Sequence, residues 1–213
     1  MVRKTRANKK TTTPSTLMFE SDRFRTEKNQ ETYEKLNIYR SVWAERKVIL
    51  DELNGEIMRN FKSRGWLPLL DVERPPPPAL IREFYSNFSV HSDDSNTQYV
   101  RSWIRGEEYV ITRSIVATAL GVPLVQQPMY TYTETPLLDD IMSLPTGSSI
   151  RWGTNPWITS HELIELNYQF FQISCHSIWP ISHLHTIPLE RCAFLYSLVT
   201  NAPISFPYLL LVL

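Results

Sequence analysis

The sequence is poor in glycine and cysteine, and it carries no excess of either charge. Six glycines in 213 residues make a glycine-rich phosphate loop or a collagen-like repeat improbable. Two cysteines, Cys175 and Cys192, cannot build a disulfide scaffold and fit a reducing compartment. Because 22 basic residues balance 22 acidic ones, the molecule as a whole has no electrostatic affinity for nucleic acid.

Long apolar segments are missing as well. The basic N-terminus is not followed by the apolar stretch of a secretory signal. No window approaches the roughly 18 apolar residues that a membrane helix requires. We therefore expect a protein of the nucleus or the cytoplasm that is not secreted and has no membrane partner.

What the sequence does contain is enough apolar material for one domain with a basic arm. Hydrophobic residues make up 42% of the chain and charged residues 21%, so a core can form. The first ten residues hold five bases and no acid. These bases, which form a candidate nucleic-acid site or nuclear-import signal, are Arg3, Lys4, Arg6, Lys9 and Lys10. A solvated tail is the alternative reading of the same residues.

Apolar periodicity and capping residues predict a mainly α fold with a small β-hairpin, which is an α+β class. The predicted helices span residues 22–39, 51–64, 79–88, 113–119, 137–142, 160–176 and 187–200. The hairpin pairs residues 99–104 with 108–111 around Arg105 and Gly106, and residues 89–96 are predicted to be a polar loop. Four prolines at 75–78 are a stiff spacer or, alternatively, a polyproline ligand for an aromatic groove.

Several local signals support these assignments. Thr112 is predicted to cap the helix at 113–119, and Gly121 to end it. Thr159 and Glu162 form a capping-box pattern for a helix beginning at 160. The segment 79–88 is strongly apolar, so we expect it to be largely buried.

These elements divide the chain into three parts. Residues 1–20 are predicted to be a disordered basic tail, and residues 21–204 a helical domain. Residues 205–213 are an apolar end, which we interpret as aberrant because globular chains seldom end on exposed aliphatic side chains.

Histidines and cysteines cluster in the C-terminal third, which raises the question of a metal site. The cluster consists of His161, Cys175, His176, His183, His185 and Cys192. Its spacings do not match a zinc motif, and a helix over 160–176 would hold His161 and Cys175 about 21 Å apart. A site of His183, His185 and Cys175 stays open as an alternative. Our prediction is no metal and no cofactor.

No catalytic motif is apparent. Cys175 and His176 are neighbours, and neighbouring side chains on a helix do not face each other as a dyad requires. The paired acids Asp93–Asp94 and Asp139–Asp140 are typical of solvated surfaces. We predict no enzymatic activity and no small-molecule substrate.

Six tryptophans could stack on nucleic-acid bases, but six in a chain of this size are more simply core residues. Beyond Arg101, Arg105 and Arg151, no basic residues are interleaved with them.

A series of short sequence blocks carries a family resemblance. The blocks begin at Asp22, Ala44, Arg64, Leu80, Ser102, Ile111, Leu120 and Leu189, with Arg64-Gly-Trp-Leu-Pro-Leu and Leu189-Glu-Arg-Cys-Ala-Phe-Leu-Tyr as examples. Over about residues 20–204 the chain resembles the plant transposon protein domain, found in gag-like regions of Athila-type retrotransposons. Residues 106–123 are also similar to the plant mobile domain.

The resemblance implies a non-enzymatic gag-like structural protein that self-associates and contacts RNA or DNA through its basic arm. The chain lacks the Cys-x-x-Cys-x4-His-x4-Cys knuckle of many gag proteins. The alternative is a nuclear, chromatin-associated adaptor of the mobile-domain type. A more distant alternative is a remnant without function.

Overall fold

The computed structural model describes seven stretches of the chain. They are residues 19–39, 48–71, 76–126, 128–130, 138–148, 157–179 and 184–212. All five bases of the predicted arm lie outside the described residues, so their assignment as a binding or import site stays a prediction.

Within these stretches the fold consists of eight α-helices and two small antiparallel sheets, which confirms the predicted α+β class. The helices are α1 Glu27–Tyr39, α2 Gly55–Ser63, α3 Pro78–Ser86, α4 Arg113–Leu120, α5 Leu138–Thr146, α6 Glu165–Ile173, α7 Leu189–Val199 and α8 Phe206–Val212. The strands are β1 Ser89–Ser92, β2 Gln98–Ile104, β3 Glu107–Ile111, β4 Trp157–Thr159 and β5 Thr186–Pro188. One sheet has the order β1-β2-β3, and β4 pairs with β5 in the other.

Short-range signals place several boundaries correctly. The Thr112 side chain accepts a hydrogen bond from the Ile115 amide at the start of α4. Gly121 ends that helix with a φ of +64°, a left-handed conformation that glycine adopts without strain. Gly65 ends α2 in the same way, with a φ of +67°.

Two helices begin later than predicted because polar side chains and turns intervene. Helix α2 starts at Gly55, where the Asn54 side chain accepts a hydrogen bond from the Glu56 amide. Before α1, the Arg23 amide donates to the Glu20 carbonyl in a turn, and the helix begins only at Glu27.

The predicted helix over 160–176 is wrong at its start. The capping box of Thr159 and Glu162 is present, with the Thr159 hydroxyl 2.8 Å from Glu162 Oε2. It closes a single 3-10 turn, however, and Leu163 has an extended backbone (φ −73°, ψ 141°). Helix α6 begins at Glu165 and passes into a π-helical turn over Ser174–Ile178.

The predicted polar loop at 89–96 is also wrong, since its first half is strand β1. This strand pairs with β2 in antiparallel register, from Ser89 opposite Arg101 to Ser92 opposite Gln98. The Asp93 side chain closes the connection by accepting hydrogen bonds from the amides of Ser95 and Thr97. The strand lacks a clear apolar alternation, so the sequence gives no signal for it.

The largest apolar cluster lies among α2, α5, α6, α7 and α8, which we call the helical core. Its most buried side chains include Ile57, Phe61, Ile187, Cys192 and Leu198, none of which is exposed to solvent. Phe206, Leu209 and Leu211 of α8 are buried, so this aliphatic segment packs into the domain. No helix in the described stretches is long and apolar enough to cross a bilayer.

Helix α3 buries polar side chains and exposes an aromatic one, which is the reverse of what we expected. Its aromatic side chain Tyr85 is 58% exposed, and Phe88, just beyond its end, is 40% exposed. The buried residues of the helix are Glu83 and Ser86. The prediction of a largely buried apolar helix is therefore wrong. The elements that pack against α3 form hydrogen bonds with these two polar residues, so they are the buried ones.

Candidate nucleic-acid interface

The middle strand of the three-stranded sheet has one buried face and one partly accessible face. Strand β2 lies between β1 and β3, and its side chains alternate between the two faces. Val100 and Ser102 are buried, and Ser102 Oγ donates a 2.8 Å hydrogen bond to the Phe84 carbonyl of α3. Helix α3 therefore covers this face, and the alternate residues of β2 lie on the other.

We call His91, Tyr99, Arg101 and Trp103 the outer face. All four are partly accessible to solvent. His91 lies opposite Tyr99 in the β1–β2 pairing, and the two rings are nearly parallel, with centroids 5.5 Å apart and planes 19° apart. The Arg101 guanidinium lies 5.5 Å from the centre of the Tyr99 ring. The outer face is thus a row of flat aromatic groups with a cation among them.

Arg25 extends the row at its Trp103 end. Its guanidinium lies 5.7 Å from the Trp103 ring centre and forms an ion pair with Glu108. Asn87 sets this position, because its Oδ1 accepts a hydrogen bond from the Arg25 amide and its Nδ2 donates to the Trp103 carbonyl at 2.8 Å. One buried amide therefore holds the segment before α1 against the end of β2.

The buried carboxylate of Glu83 holds the turn between β2 and β3. Its Oε1 accepts a 2.6 Å hydrogen bond from the Arg105 amide, and its Oε2 accepts from Arg23 Nε at 3.4 Å. Arg105 has a φ of +50° and Gly106 a φ of +85°, so the backbone here needs such a fixed contact. Glu83 and Asn87, both from the α3 region, together position the outer face.

The charge near the outer face is uneven. Within the described residues Arg101 makes no ion pair, and its guanidinium donates only a long hydrogen bond, 3.5 Å, to Tyr99 Oη. At the β1–β2 turn, hydrogen bonds from the Ser95 hydroxyl and the Thr97 amide lower the pKa of Asp93. Among the described residues, Arg101 therefore places a positive charge without an ion pair in the middle of β2, whereas the charges near its ends are mixed, with Asp93 close to Arg113 and Glu108 paired with Arg25.

The described residues among those considered for a metal site do not form a set of metal ligands. Burial raises the pKa values of Cys175 and Cys192 to about 12, so both are protonated thiols at neutral pH. The exposed rings of His161 and His185 meet, with centroids 5.3 Å apart, while His183 lies outside the described residues. Among the residues that the structure places, no three His, Cys, Asp or Glu side chains could hold a metal ion.

The paired acids lie on the surface at two separate places. Asp139 and Asp140 are exposed in the first turn of α5, where their charge suits the helix dipole. Asp93 and Asp94 are exposed at the β1–β2 turn, where Asp93 closes the turn. Each pair therefore has a local structural role.

Comparison with known families agrees with the resemblance found in the sequence. Residues 62–212, more than two thirds of the chain, match the family described as "Putative plant retrotransposon-related domain". The chain belongs to this family. No curated protein and no solved structure gives a significant match. The protein is thus transposon-related and of plant type, and the matched residues include the whole three-stranded sheet.

The sequence analysis noted Arg101 among the tryptophans but did not assemble the outer face. The signal was present as Tyr99, Arg101 and Trp103 at every second position, which a strand places on one side. Contributions from His91 and Arg25 could not be found in this way. They depend on an unrecognised strand and on a contact between segments more than 75 residues apart.

Proposed function

We propose that this retrotransposon-related protein is a non-enzymatic, gag-like structural protein that binds nucleic acid and associates with copies of itself. The observation that carries the binding function is the outer face, where the unpaired Arg101 lies between Tyr99 and Trp103. A cation beside accessible aromatic rings supplies the two contacts, to phosphates and to bases, that nucleic-acid-binding surfaces combine.

The basic arm would supply most of the electrostatic affinity. Its five charges act on phosphates wherever the arm lies, and each neutralised phosphate of a single strand contributes about 0.7 to the slope of log affinity against log salt. Removal of residues 1–10 should therefore reduce that slope by up to about 3.5. The measurement is fluorescence anisotropy of labelled RNA at several salt concentrations. Absence of RNA binding by the intact chain at low salt would contradict the proposed function.

Self-association is supported by an aromatic cluster on α3. Phe84, Tyr85 and Phe88 contact one another, with ring centroids 5.1 to 6.0 Å apart, and Tyr85 and Phe88 are exposed. Exposed apolar patches of this kind commonly mark protein interfaces. Sedimentation should show oligomers that Tyr85→Ser and Phe88→Ser convert to monomers. Ile115→Ser, which changes an exposed apolar residue on α4, is the matched control.

The same cluster supports the alternative function of an adaptor of the mobile-domain type. In that case the exposed aromatic residues Tyr85 and Phe88 would contact a different protein, and the basic arm would direct the chain to the nucleus. A monomer in sedimentation, together with nuclear accumulation of a fluorescent fusion that is lost without residues 1–10, would favour this function over the gag-like one.

A further inference from the structure

We infer that the outer face binds an unpaired stretch of a single nucleic-acid strand, with two bases stacked on Tyr99 and Trp103 and a phosphate at Arg101. This inference rests on the proposed function and names the substrate class of the same site. It starts from the positions of the two rings, which lie four residues apart on one face of one strand.

The spacing of the two rings favours unstacked bases. At about 3.3 Å per residue, the Cα atoms of Tyr99 and Trp103 are roughly 13 Å apart. Bases stacked in a duplex follow one another at about 3.4 Å, and their neighbours cover both faces of each ring. Two bases can therefore reach both side chains only where the strand is unpaired and extended.

The charges around the outer face favour a short single strand over a duplex. Asp93 and Asp94 lie at the β1–β2 turn, and Glu108 lies on β3 opposite Trp103. A duplex would bring a second row of phosphates towards the carboxylates of Asp93 and Asp94, whereas one strand along β2 meets Arg101 at its centre.

Arg101 suits the phosphate better than Arg25 does. Arg25 is already paired with Glu108, so contact with a phosphate would require that ion pair to break. Arg101 has no ion pair with any described residue, and its main contact is with the Tyr99 ring. It can therefore turn a guanidinium edge to a phosphate and leave that side of the Tyr99 ring to a base.

The test uses the full chain and two labelled probes of equal length, a ten-nucleotide oligouridine and a ten-base-pair RNA duplex. We expect tighter binding of the oligouridine. Trp103→Leu should weaken its binding about 5- to 150-fold, whereas Trp103→Phe, which keeps a ring, should stay close to the wild type. Neither substitution should change the salt slope, whereas Arg101→Gln should reduce it by about 0.7.

A second pair of variants separates stacking from loss of structure. Tyr99→Ser should weaken oligouridine binding, and Tyr109→Ser, which changes an exposed tyrosine on the opposite face of the same sheet, should not. Circular dichroism and thermal unfolding check that both variants fold. If Tyr99→Ser is unfolded, Tyr99→Leu replaces it in the comparison.

Three outcomes would overturn the inference. Equal affinity for the duplex, or wild-type binding by Trp103→Leu and Tyr99→Ser, would remove the outer face as a single-strand site. RNA binding that depends on residues 1–10 and on none of the outer-face residues would do the same, and it would leave the proposed function standing. If neither the oligouridine nor the duplex binds, both this inference and the proposed function are overturned.

Discussion

Two regions of the molecule are held together by different forces. The sheet region comprises α1, α3 and β1–β3, and hydrogen bonds of the buried side chains Glu83, Asn87 and Ser102 join its elements. In the helical core the contacts are apolar, as in the stacked rings of Phe61 and Phe170, 6.2 Å apart. Burial of apolar surface contributes a large free energy that does not depend on orientation. A buried hydrogen bond contributes less, but it fixes the orientation of the two groups that it joins. We therefore expect the region that carries the outer face to be the more oriented and the less stable one.

The largest effect is expected from a cavity in the helical core. Leu198 is completely buried, so Leu198→Ala should lower the free energy of unfolding by about 2–5 kcal/mol. Leu210→Ala, at a residue of α8 that is 47% exposed, is the matched control and should have a much smaller effect. Denaturant unfolding of both variants measures the difference. Similar losses in the two variants would show that this core is not the main source of stability.

A smaller loss is expected where a half-buried arginine, Arg64, binds the end of a core helix. The Arg64 guanidinium donates hydrogen bonds to the carbonyls of Ser197, Leu198 and Ala202 at the end of α7. Burial lowers the pKa of Arg64 to about 10, which still leaves it charged at neutral pH. Arg64→Lys cannot make all three bonds, so we expect a loss of about 1–3 kcal/mol in denaturant unfolding.

The control for this substitution is Arg59→Lys at an exposed position of α2, which should leave stability unchanged. An equal effect at the two positions would mean that the hydrogen bonds of Arg64 to α7 contribute little. The Arg64 contact also joins the block beginning at Arg64 to the block beginning at Leu189.

A local effect is expected in the sheet region. Asn87→Ala removes hydrogen bonds to the backbone of Arg23, Arg25 and Trp103 and leaves buried groups unpaired, at a cost of about 1–3 kcal/mol. Hydrogen exchange should quicken in β1–β3 and α1 and stay slow in α6 and α7. Asn37→Ala, at an exposed position of α1, is the control. Uniform loss of protection would show that the two regions unfold as one unit.

The smallest effect concerns the thiols, which report on the helical core alone. Because burial raises the pKa values of Cys175 and Cys192 from about 9 to about 12, the unfolded chain loses these protons at lower pH than the folded chain. Their contribution to stability is therefore complete below pH 9 and is lost as the pH rises from 9 towards 12. Thermal unfolding at pH 8 and pH 10, compared with a Cys175→Ala/Cys192→Ala variant, measures this contribution.

The thiols also test the independence of the two regions. They should react slowly with a disulfide reagent at pH 8 in the native wild type and equally slowly in Asn87→Ala, whose defect lies in the sheet region. Fast reaction in the native wild type would contradict their burial.

The predictions from sequence were most accurate where the local structure is decided by contacts between residues that lie close together along the chain. The hairpin around Gly106 and the helix between Thr112 and Gly121 are formed by neighbours along the chain, and both were predicted. The predictions failed for α3, whose aromatic residues suggested burial, because Glu83 and Asn87 bind partners about 60 residues away. The prediction of a helix beginning at residue 160 failed for a different reason. The capping box of Thr159 formed, but the backbone after its single turn is extended.

The amino-acid sequence by itself determined the fold class, the caps and turns, the apolar character of the helical core and the family. These depend on side-chain size, polarity and spacing, which act between near neighbours. Only the tertiary structure decided which side of α3 is buried and which side chains make up the outer face. Those outcomes depend on strand register and on hydrogen bonds between distant segments, and the folded chain alone brings such groups within reach of each other.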